Sequence, residues 1–458
     1  MLPLPVANRL YLFYSFVFLL NVIHVFWADP VLFSVIGVLG IVMVAINFPR
    51  ADRVFKILGI ILLTAGTIFL FSSDDVSIAS VPSFFAGNIG LLFLLSMLPW
   101  MNSVVKAGRY NKLLQSLLGG NVKGMGALYV RSEVTMISLA AFLNLSSATI
   151  SQDLLKDQIK NVRRKVKNSF IAMSTLRGYS LALLWSPLEI LLATSIFITG
   201  ANYLVVLPWM LLIALLGFAM DSSIGRMMFR KHEIEEDMPP KQNIGENKKK
   251  LIHFVTALLS FLIVVVFLAN VIQFDFLFAV TIAIFPFAFL WAVLMKRIRS
   301  FFQIGWPTWK QQTNHLSNFI VLLLSLSFLT ETLNASPFLQ YLQDPIVALE
   351  GRPLLIMFFI QAAFLVMTLL GVHPLATMGI FGGVSELLIE ALPTVTLTVL
   401  LSSCAIATVP SAPYGLIVTM TSVALRMNPY EIVVKNLPYS FLLGLIGIAV
   451  SLLTLFVY

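Results

Sequence analysis

The chain has 458 residues, of which 59% are hydrophobic and 11% charged, and its net charge is +9. A soluble domain carries about 25% charged residues, so this composition indicates a polytopic helical membrane protein and argues against a soluble class. The single cysteine, Cys404, excludes an internal disulfide and a cysteine-ligated metal cluster. The positive charge is interpreted as cytoplasmic loops rich in lysine and arginine rather than as a nucleic-acid surface.

Four apolar runs near the N-terminus are each long enough to span a bilayer at about 20 residues per span. They are Leu10 to Trp27, Val31 to Phe48, Leu58 to Phe71 and Phe85 to Met101. The first run exceeds the apolar core of a signal peptide and another span follows at once, so it is predicted to be a retained helix. The basic loop 49–56 indicates an inner connection, and the acidic pair 74–75 indicates an outer one.

The region that follows departs from plain spans. Residues 106–121 alternate polar and apolar side chains, which is typical of an interfacial amphipathic helix. Met125 to Thr149 is long enough to span, yet the next segment, 152–168, carries six basic residues and is predicted to lie inside. The segment before it is therefore predicted to re-enter the membrane. Residues 170–220 are interrupted at Trp185-Ser186-Pro187 and at Thr199-Gly200-Ala201-Asn202.

A hydrophilic stretch, 221–250, is interpreted as a solvated linker to a second half with the same pattern. That half has an interfacial segment at 301–315 and a re-entrant arm at 382–392. Its predicted spans are Leu251 to Asn270, Phe274 to Met295, Asn318 to Leu333, Leu354 to Leu370, Val395 to Ala424 and Phe441 to Tyr458.

Two breaks fall within otherwise apolar sequence, at Gly371 to Thr377 and at Ala407 to Gly415. Both contain proline, which removes an amide donor, and glycine, which permits non-helical angles. A backbone group freed in hydrocarbon costs several kcal/mol, so unwound backbone at this depth must face protein or a hydrated cavity. Secondary transporters build their solute sites from such discontinuous helices.

The two halves also share local sequence. Thr194-Ser195, Tyr203 and Val206 match Thr421-Ser422, Tyr430 and Val433 at an offset of 227, and Ala148-Thr149 matches Ala376-Thr377 at 228. These matches are collinear with the helix breaks and predict a two-fold internal repeat, which in transporters is commonly inverted.

In its order of spans, interfacial segments and paired broken helices, the chain resembles the ion transporter superfamily, which includes dicarboxylate–sodium symporters, arsenite-type permeases and citrate carriers. The family's paired tips often read Ser-Asn-Thr, and the candidate tips here read Ser146-Ser147-Ala148-Thr149 and His373-Pro374-Leu375-Ala376-Thr377. The resemblance implies a scaffold domain, a mobile transport domain with elevator-like movement, and a homodimer.

The predicted fold is all-α, a polytopic membrane protein of about 12 transmembrane helices with broken helices and re-entrant segments. The predicted divisions are N-terminal scaffold spans 1–105, a first transport half 106–220, a cytoplasmic linker 221–250, a scaffold hairpin 251–300, a second transport half 301–437 and a C-terminal span 438–458.

Candidate ligands are the ionisable residues within spans and the hydroxyls at the breaks, because both mark functional sites in membrane proteins. The residues predicted to bind the solute are Ser146, Ser147, Thr149, Arg177, Ser186, His373, Thr377, Ser411 and Tyr414. Those predicted to bind the coupling ion are Glu189, Thr149, Thr377 and Thr408.

Each candidate also has a structural alternative. Arg177 matches carboxylate geometry, but it could instead snorkel to the inner face or pair with Glu189. His373 suits proton coupling or a structural hydrogen bond, and the hydroxyls could be helix caps. Arg131 and Glu133 are two residues apart, cannot share a helix face, and are expected to have packing roles.

The functional prediction is a secondary active transporter, not an enzyme, that moves a small anionic solute with Na⁺ or H⁺ by alternating access across the bacterial plasma membrane. No His-Glu-x-x-His, Gly-x-Gly-Asp or P-loop motif occurs. The alternatives are a lipid-linked or polyprenyl-phosphate carrier or flippase, and an intramembrane enzyme acting on lipid-linked substrates. The expected partners are the solute, membrane lipids and a second copy of the chain, with no nucleic acid, no metal site and no cofactor beyond a coupling Na⁺.

Overall fold

The computed structural model describes residues 9–73, 76–110, 124–143, 145–232, 244–338 and 351–458, and every regular element in these ranges is a helix. The predicted all-α class is therefore confirmed. The predicted acidic loop 74–75, the part of the interfacial segment at 111–121 and the linker residues 233–243 lie outside the described residues.

The first half of the chain contains nine described α-helices and two short 3₁₀ helices, at Phe48–Arg50 and Ile78–Phe85. The α-helices are α1 (Leu10–Trp27), α2 (Pro30–Asn47), α3 (Arg53–Phe71), α4 (Ile89–Ala107), α5 (Met125–Leu143), α6 (Leu145–Gln158), α7 (Arg164–Leu183), α8 (Ile190–Thr199) and α9 (Tyr203–Phe229).

The second half contains ten described α-helices and a 3₁₀ helix at Val409–Ser411. The α-helices are α10 (Ile244–Asn270), α11 (Phe276–Leu294), α12 (Ile298–Asn314), α13 (Ser317–Asn334), α14 (Pro353–Leu369), α15 (Pro374–Gly382), α16 (Ser385–Ala391), α17 (Thr394–Thr408), α18 (Leu416–Leu425) and α19 (Pro429–Thr454).

Within the described residues, ten helical segments are long and apolar enough to cross a membrane, and α8 and α14 are shorter apolar helices. The prediction of a polytopic helical membrane protein is confirmed. Within the predicted long segment Met125 to Thr149, the described residues form α5, which ends at Leu143, and α6, which begins at Leu145. These two helices contact each other and both pack against α7, which is the arrangement that a re-entrant hairpin requires.

The breaks predicted from proline and glycine are present. Helix is absent at 184–189, 200–202, 371–373 and 412–415, and Gly200 and Gly371 have φ of +70° and +91°. The first predicted break is too long, because Pro374 occupies the first position of α15 and residues up to Thr377 continue that helix. Proline is tolerated there since its missing amide would have had no helical partner.

The helix boundaries of the two halves recur at nearly constant offsets. Helices α4 and α5 begin at residues 89 and 125, and α13 and α14 begin 228 residues later at 317 and 353. Helices α8 and α9 begin at 190 and 203, and α18 and α19 begin 226 residues later at 416 and 429. The caps agree, since Asn202 and Asn428 each accept a hydrogen bond from the amide two residues on. The predicted offset of 227 in this region is therefore one residue too large.

The packing repeats with the boundaries. In the first half α3 packs on α13, and in the second half its counterpart α11 packs on α4. In the same way, α5 packs on α9 in the first half and α14 packs on α19 in the second. Helix α8 packs on α15, and α18 packs on α6. Each half therefore supplies the broken helix that lies against the hairpin of the other half. The contacts also place α12 and α13 beside the N-terminal helices α4 and α3.

The basic connections gather at one end of the bundle. Arg50 Nη2 donates to the Asn314 carbonyl oxygen at 3.3 Å, and the Tyr110 hydroxyl contacts the Met295 sulfur at 3.7 Å. Helix α12 runs between these two contacts and packs on α4. This arrangement is the one that the excess of lysine and arginine in inner loops predicts.

Gly37 of α2 provides a test of the packing between α2 and the 3₁₀ helix 78–85. A Cβ at Gly37 would lie within 3 Å of backbone atoms of Pro82 and Ser83, which cannot rotate away. We expect Gly37→Ala to lower the unfolding midpoint of the purified protein in detergent, because overpacking costs about 1–3 kcal/mol. The matched control is Val38→Ala on the exposed face of the same helix, and equal midpoints for both variants would contradict the packing.

Candidate functional site

Four helix N-termini meet at a central cavity of about 430 Å³. It is lined by Leu145 at the start of α6, by 188–191 at the start of α8, by His373 and Pro374 at the start of α15, and by 415–417 at the start of α18. The hairpin tips and the breaks of both halves therefore share one cavity. Its volume falls within the range of small-molecule sites, about 300–1,000 Å³.

Two further helices form the opposite wall. Helix α4 contributes Asn102 and Lys106, and α12 contributes Gln312 and its C-cap residue His315. Lys106, Gln312 and His315 are exposed, whereas Glu189 on the far wall is buried. The cavity therefore opens towards the end of the bundle that carries the basic loops, with a polar mouth and a more enclosed floor.

Glu189 and His373 hold the two half-helices that they precede. One carboxylate oxygen of Glu189 accepts from the Leu191 amide at 3.4 Å, and His373 Nδ1 accepts from the Leu375 amide at 3.2 Å. Because Nδ1 accepts, the neutral ring of His373 carries its proton on Nε2. His373 thus caps α15 and also offers an N–H donor to a ligand. Glu189 and His373 are 184 residues apart in sequence and share this cavity.

The electrostatic balance of the cavity favours an anion. The N-terminus of a helix carries roughly half a positive charge, and its first amides lack helical partners. Gly415 precedes α18 without a side-chain cap, so the first amides of that helix have no side-chain acceptor at the cap position. Lys106 adds a positive charge, and Glu189 is the one carboxylate among the lining residues of the described chain.

A second cavity of about 240 Å³ lies further along the same helices. The second cavity is lined by Leu91 of α4 and Leu323 of α13. The same helices line the central cavity through Leu95 and Phe319. Helices α8 and α15 also contribute to both. Four residues on a helix rise about 6 Å, so the layer between the two cavities is close to one helical turn thick.

Among the predicted ligands, only His373 and Glu189 line the central cavity as the structure describes it. Ser186 is buried in the interruption at 184–189 and donates to the Ala141 carbonyl oxygen at 2.8 Å. In the second break, the Ser411 hydroxyl pairs with Ser440 at 2.6 Å, and Thr408 donates to the Ala405 carbonyl at 2.7 Å. These hydroxyls hold the breaks in place, and their predicted contacts with a solute or an ion stay predictions.

The remaining predicted hydroxyl ligands lie on α6 and α15, apart from Tyr414, which lies in the break at 412–415. Ser147 is buried and Thr149 is half-buried on α6, and the side chain of Ser146 lies outside the described residues. Thr377 is buried in α15, with no hydrogen-bond partner for its hydroxyl among the described residues. Tyr414 is 60% exposed and its hydroxyl pairs with that of Tyr430 at 2.8 Å.

Arg177 lies in a buried ion pair rather than in the cavity lining. Its Nη1 donates to Asp221 Oδ1 at 2.6 Å, its Nε to Asn436 Oδ1 at 2.9 Å and its Nη2 to the Lys435 carbonyl oxygen at 2.7 Å. It is 4% exposed, so it does not snorkel to the surface, and its ionic partner is Asp221 rather than Glu189. The described contacts of Arg177 are all with the protein, and its predicted contact with the solute stays a prediction.

Asp221 corrects the predicted start of the hydrophilic linker. Helix α9 continues to Phe229, and Asp221 within it is fully buried, since Arg177 and the Tyr129 hydroxyl both donate to its carboxylate. A charge can be buried at that position because it is paired and hydrogen-bonded. The sequence pattern did not predict three other residues that line the cavity, Asn102, Gln312 and His315. The available signal was the polar face that α4 and α12 share at the basic end.

The chain matches no protein-family model and no curated protein sequence. Among solved structures, it is similar to the YdaH transporter of Alcanivorax borkumensis, whose topology is described as unusual. The two superpose with a TM-score of 0.60 at 15% identity, covering 88% of this chain and 98% of that chain. At this identity the likeness is one of fold, and it shows that this chain has the fold of a membrane transporter.

The ion pair between Arg177 and Asp221 leads to a stability prediction. Removing one partner of a buried pair costs about 3–5 kcal/mol, so Asp221→Asn should lower the unfolding midpoint strongly. Replacing both charges, in Arg177→Met with Asp221→Leu, should cost less than the two single changes added together. Thermal unfolding in detergent measures all three variants.

The control is Glu431→Gln, which removes the acidic partner of the solvated Lys435 at 3.8 Å. An exposed pair contributes about 0–1 kcal/mol. If Asp221→Asn and Glu431→Gln shifted the midpoint equally, Asp221 would not be the partner that holds Arg177 in the membrane interior.

Proposed function

We propose that this protein is a secondary active transporter that binds a small anionic solute in the central cavity and moves it with Na⁺ or H⁺ by alternating access. The convergence of four helix N-termini on one cavity carries this proposal, because their combined dipoles and unpaired amides stabilise negative charge. The transporter fold shared with YdaH is consistent with it.

The proposed solute ligands are the groups that line the cavity. His373 Nε2 and the first amides of α6 and α18 would donate to a carboxylate, with Lys106 near the mouth attracting it electrostatically. Glu189 would repel a second negative charge unless a cation or a proton accompanies it. This pairing supports the predicted role of Glu189 in coupling.

Alternating access is supported by the two cavities. They lie along the same four helices and are separated by about one turn, so moving the barrier by that distance would exchange access between them. The repeated order of hairpin, broken helix and long helix supports an inverted repeat and a distant relation to the ion transporter superfamily. We extend the proposal to a bacterial plasma membrane and a homodimer on the same basis.

Uptake into proteoliposomes tests the function. Radiolabelled mono- and dicarboxylates, amino acids and uncharged analogues of similar size would be supplied with a Na⁺ gradient, a pH gradient or neither. We expect accumulation of at least one carboxylate under one of the gradients and no accumulation of its uncharged amide. Equal uptake of acid and amide would contradict an anion site, and accumulation of none of the probes would contradict the proposed function.

His373→Asn tests the site itself. Asparagine is a good N-cap, so α15 stays capped, but the ring Nε2–H proposed as a donor to the solute is lost. We expect the uptake KM for the carboxylate found in the panel to rise about tenfold, since one hydrogen bond to a charged group is worth about 1.5–3 kcal/mol. The matched control is His24→Asn, because His24 stacks on Phe33 in the scaffold and does not line the cavity. An unchanged KM in His373→Asn would remove His373 from the site.

A further inference from the structure

A second group of charged residues is buried away from the central cavity. Glu133 of α5 is completely buried, and neither of its carboxylate oxygens has a hydrogen-bond partner among the described residues. Helix α7 packs directly against it, because a Cβ at Gly178 would lie 3.3 Å from the Glu133 backbone. A buried carboxylate with two unpaired oxygens is costly and calls for a ligand.

The groups that face Glu133 come from four helices. Asp221 of α9 and Arg177 of α7 are its nearest charges, and Tyr129 of α5 and Tyr439 of α19 also interact with it electrostatically. Both oxygens of Asp221 are already occupied, by Arg177 Nη1 at 2.6 Å and by the Tyr129 hydroxyl at 2.7 Å. The Tyr439 hydroxyl donates to the Arg177 carbonyl oxygen at 3.2 Å, and the other Arg177 nitrogens donate to α19. The tyrosine and arginine donors of the cluster are therefore directed at groups other than Glu133.

The charges of this cluster do not balance when Glu133 is ionised. Two carboxylates, Glu133 and Asp221, then face the single guanidinium of Arg177, which leaves one uncompensated negative charge. Burying such a charge is strongly unfavourable, and like charges at this range cannot both be stable. One bound proton restores neutrality and gives Glu133 a donor that can reach Asp221.

We propose that Glu133 is a binding site for a coupling proton, in addition to the coupling role proposed for Glu189. This inference rests on the proposed transport function and specifies its coupling ion. Na⁺ is a poorer occupant, because a hard cation needs several oxygen ligands and both oxygens of Asp221 are committed to protein donors. The site is separate from Glu189, which lines the solute cavity.

The cluster is linked to the solute site through two helices. Helix α5 leads from Glu133 to the hairpin tip, where Leu145 lines the cavity, and α7 leads from Arg177 to Tyr179 and Leu183, which also line it. Binding of a proton at Glu133 changes the charge held between these helices. Proton binding and the position of the cavity wall therefore depend on the same packed elements, which is what coupling requires.

Infrared spectroscopy tests proton binding without any solute. The purified protein in lipid films would be titrated with acid while the C=O stretching band of protonated carboxylic acids is recorded. We expect one component of this band in the wild type to be lost in Glu133→Gln and kept in Glu133→Asp and in the exposed control Glu431→Gln. A band that has the same components in Glu133→Gln as in the wild type, or one that responds to Na⁺ and not to pH, would overturn the proposal.

Transport distinguishes coupling from solute binding. With the carboxylate found in the panel, Glu133→Gln should keep solute counterflow, because counterflow needs no net proton movement. Its accumulation driven by a pH gradient should fall at least tenfold below that of the wild type. Wild-type accumulation in this variant would overturn the proposal. If no probe is transported by the wild type yet the Glu133 band titrates, the proposed function fails while the proton site stands.

Discussion

The structure depends on one constraint, which is that backbone amides and carbonyls cannot be left unpaired in hydrocarbon. The described chain interrupts its helices at 184–189, 200–202, 371–373 and 412–415, and residues of three of these interruptions line the wall of one cavity. The freed groups are satisfied locally where possible, by Glu189 and His373 as caps and by Ser186 against Ala141. The backbone groups that remain unpaired face the cavity. The helix interruptions would destabilise a plain helix bundle, and here they create a polar site within it.

Buried charges, like buried backbone groups, need partners. Arg177 and Asp221 are each buried, and their hydrogen bonds join α7, α9 and α19. The pair therefore fixes the relative positions of helices that surround the second break, while Glu133 beside it has no such partner among the described residues. A cluster with one balanced pair and one unbalanced carboxylate can serve two purposes, because the pair holds the packing and the remaining group is free to titrate.

Much of the fold could be predicted from the sequence, because hydropathy and proline and glycine positions act locally. The first span was predicted at its observed bounds, Leu10–Trp27, and the breaks at 184–189 and 200–202 follow from Pro187 and Gly200. Long-range pairing was not accessible in this way. Asp221 looked like the start of a linker because its partner Arg177 is 44 residues earlier, and nothing local to Lys106 or Gln312 places them opposite Glu189.

The thin layer between the two cavities also has an electrical consequence. Where both cavities are open to water, almost the whole membrane voltage falls across the side chains from Leu91 to Leu95 and their neighbours, instead of across the full bilayer. A unit charge passing that layer would do about 2.3 kcal/mol of work per 100 mV in one short step. The apolar side chains of this layer would then set the barrier to ion passage through the protein. Small polar substitutions there would lower that barrier and let ions leak down their gradients.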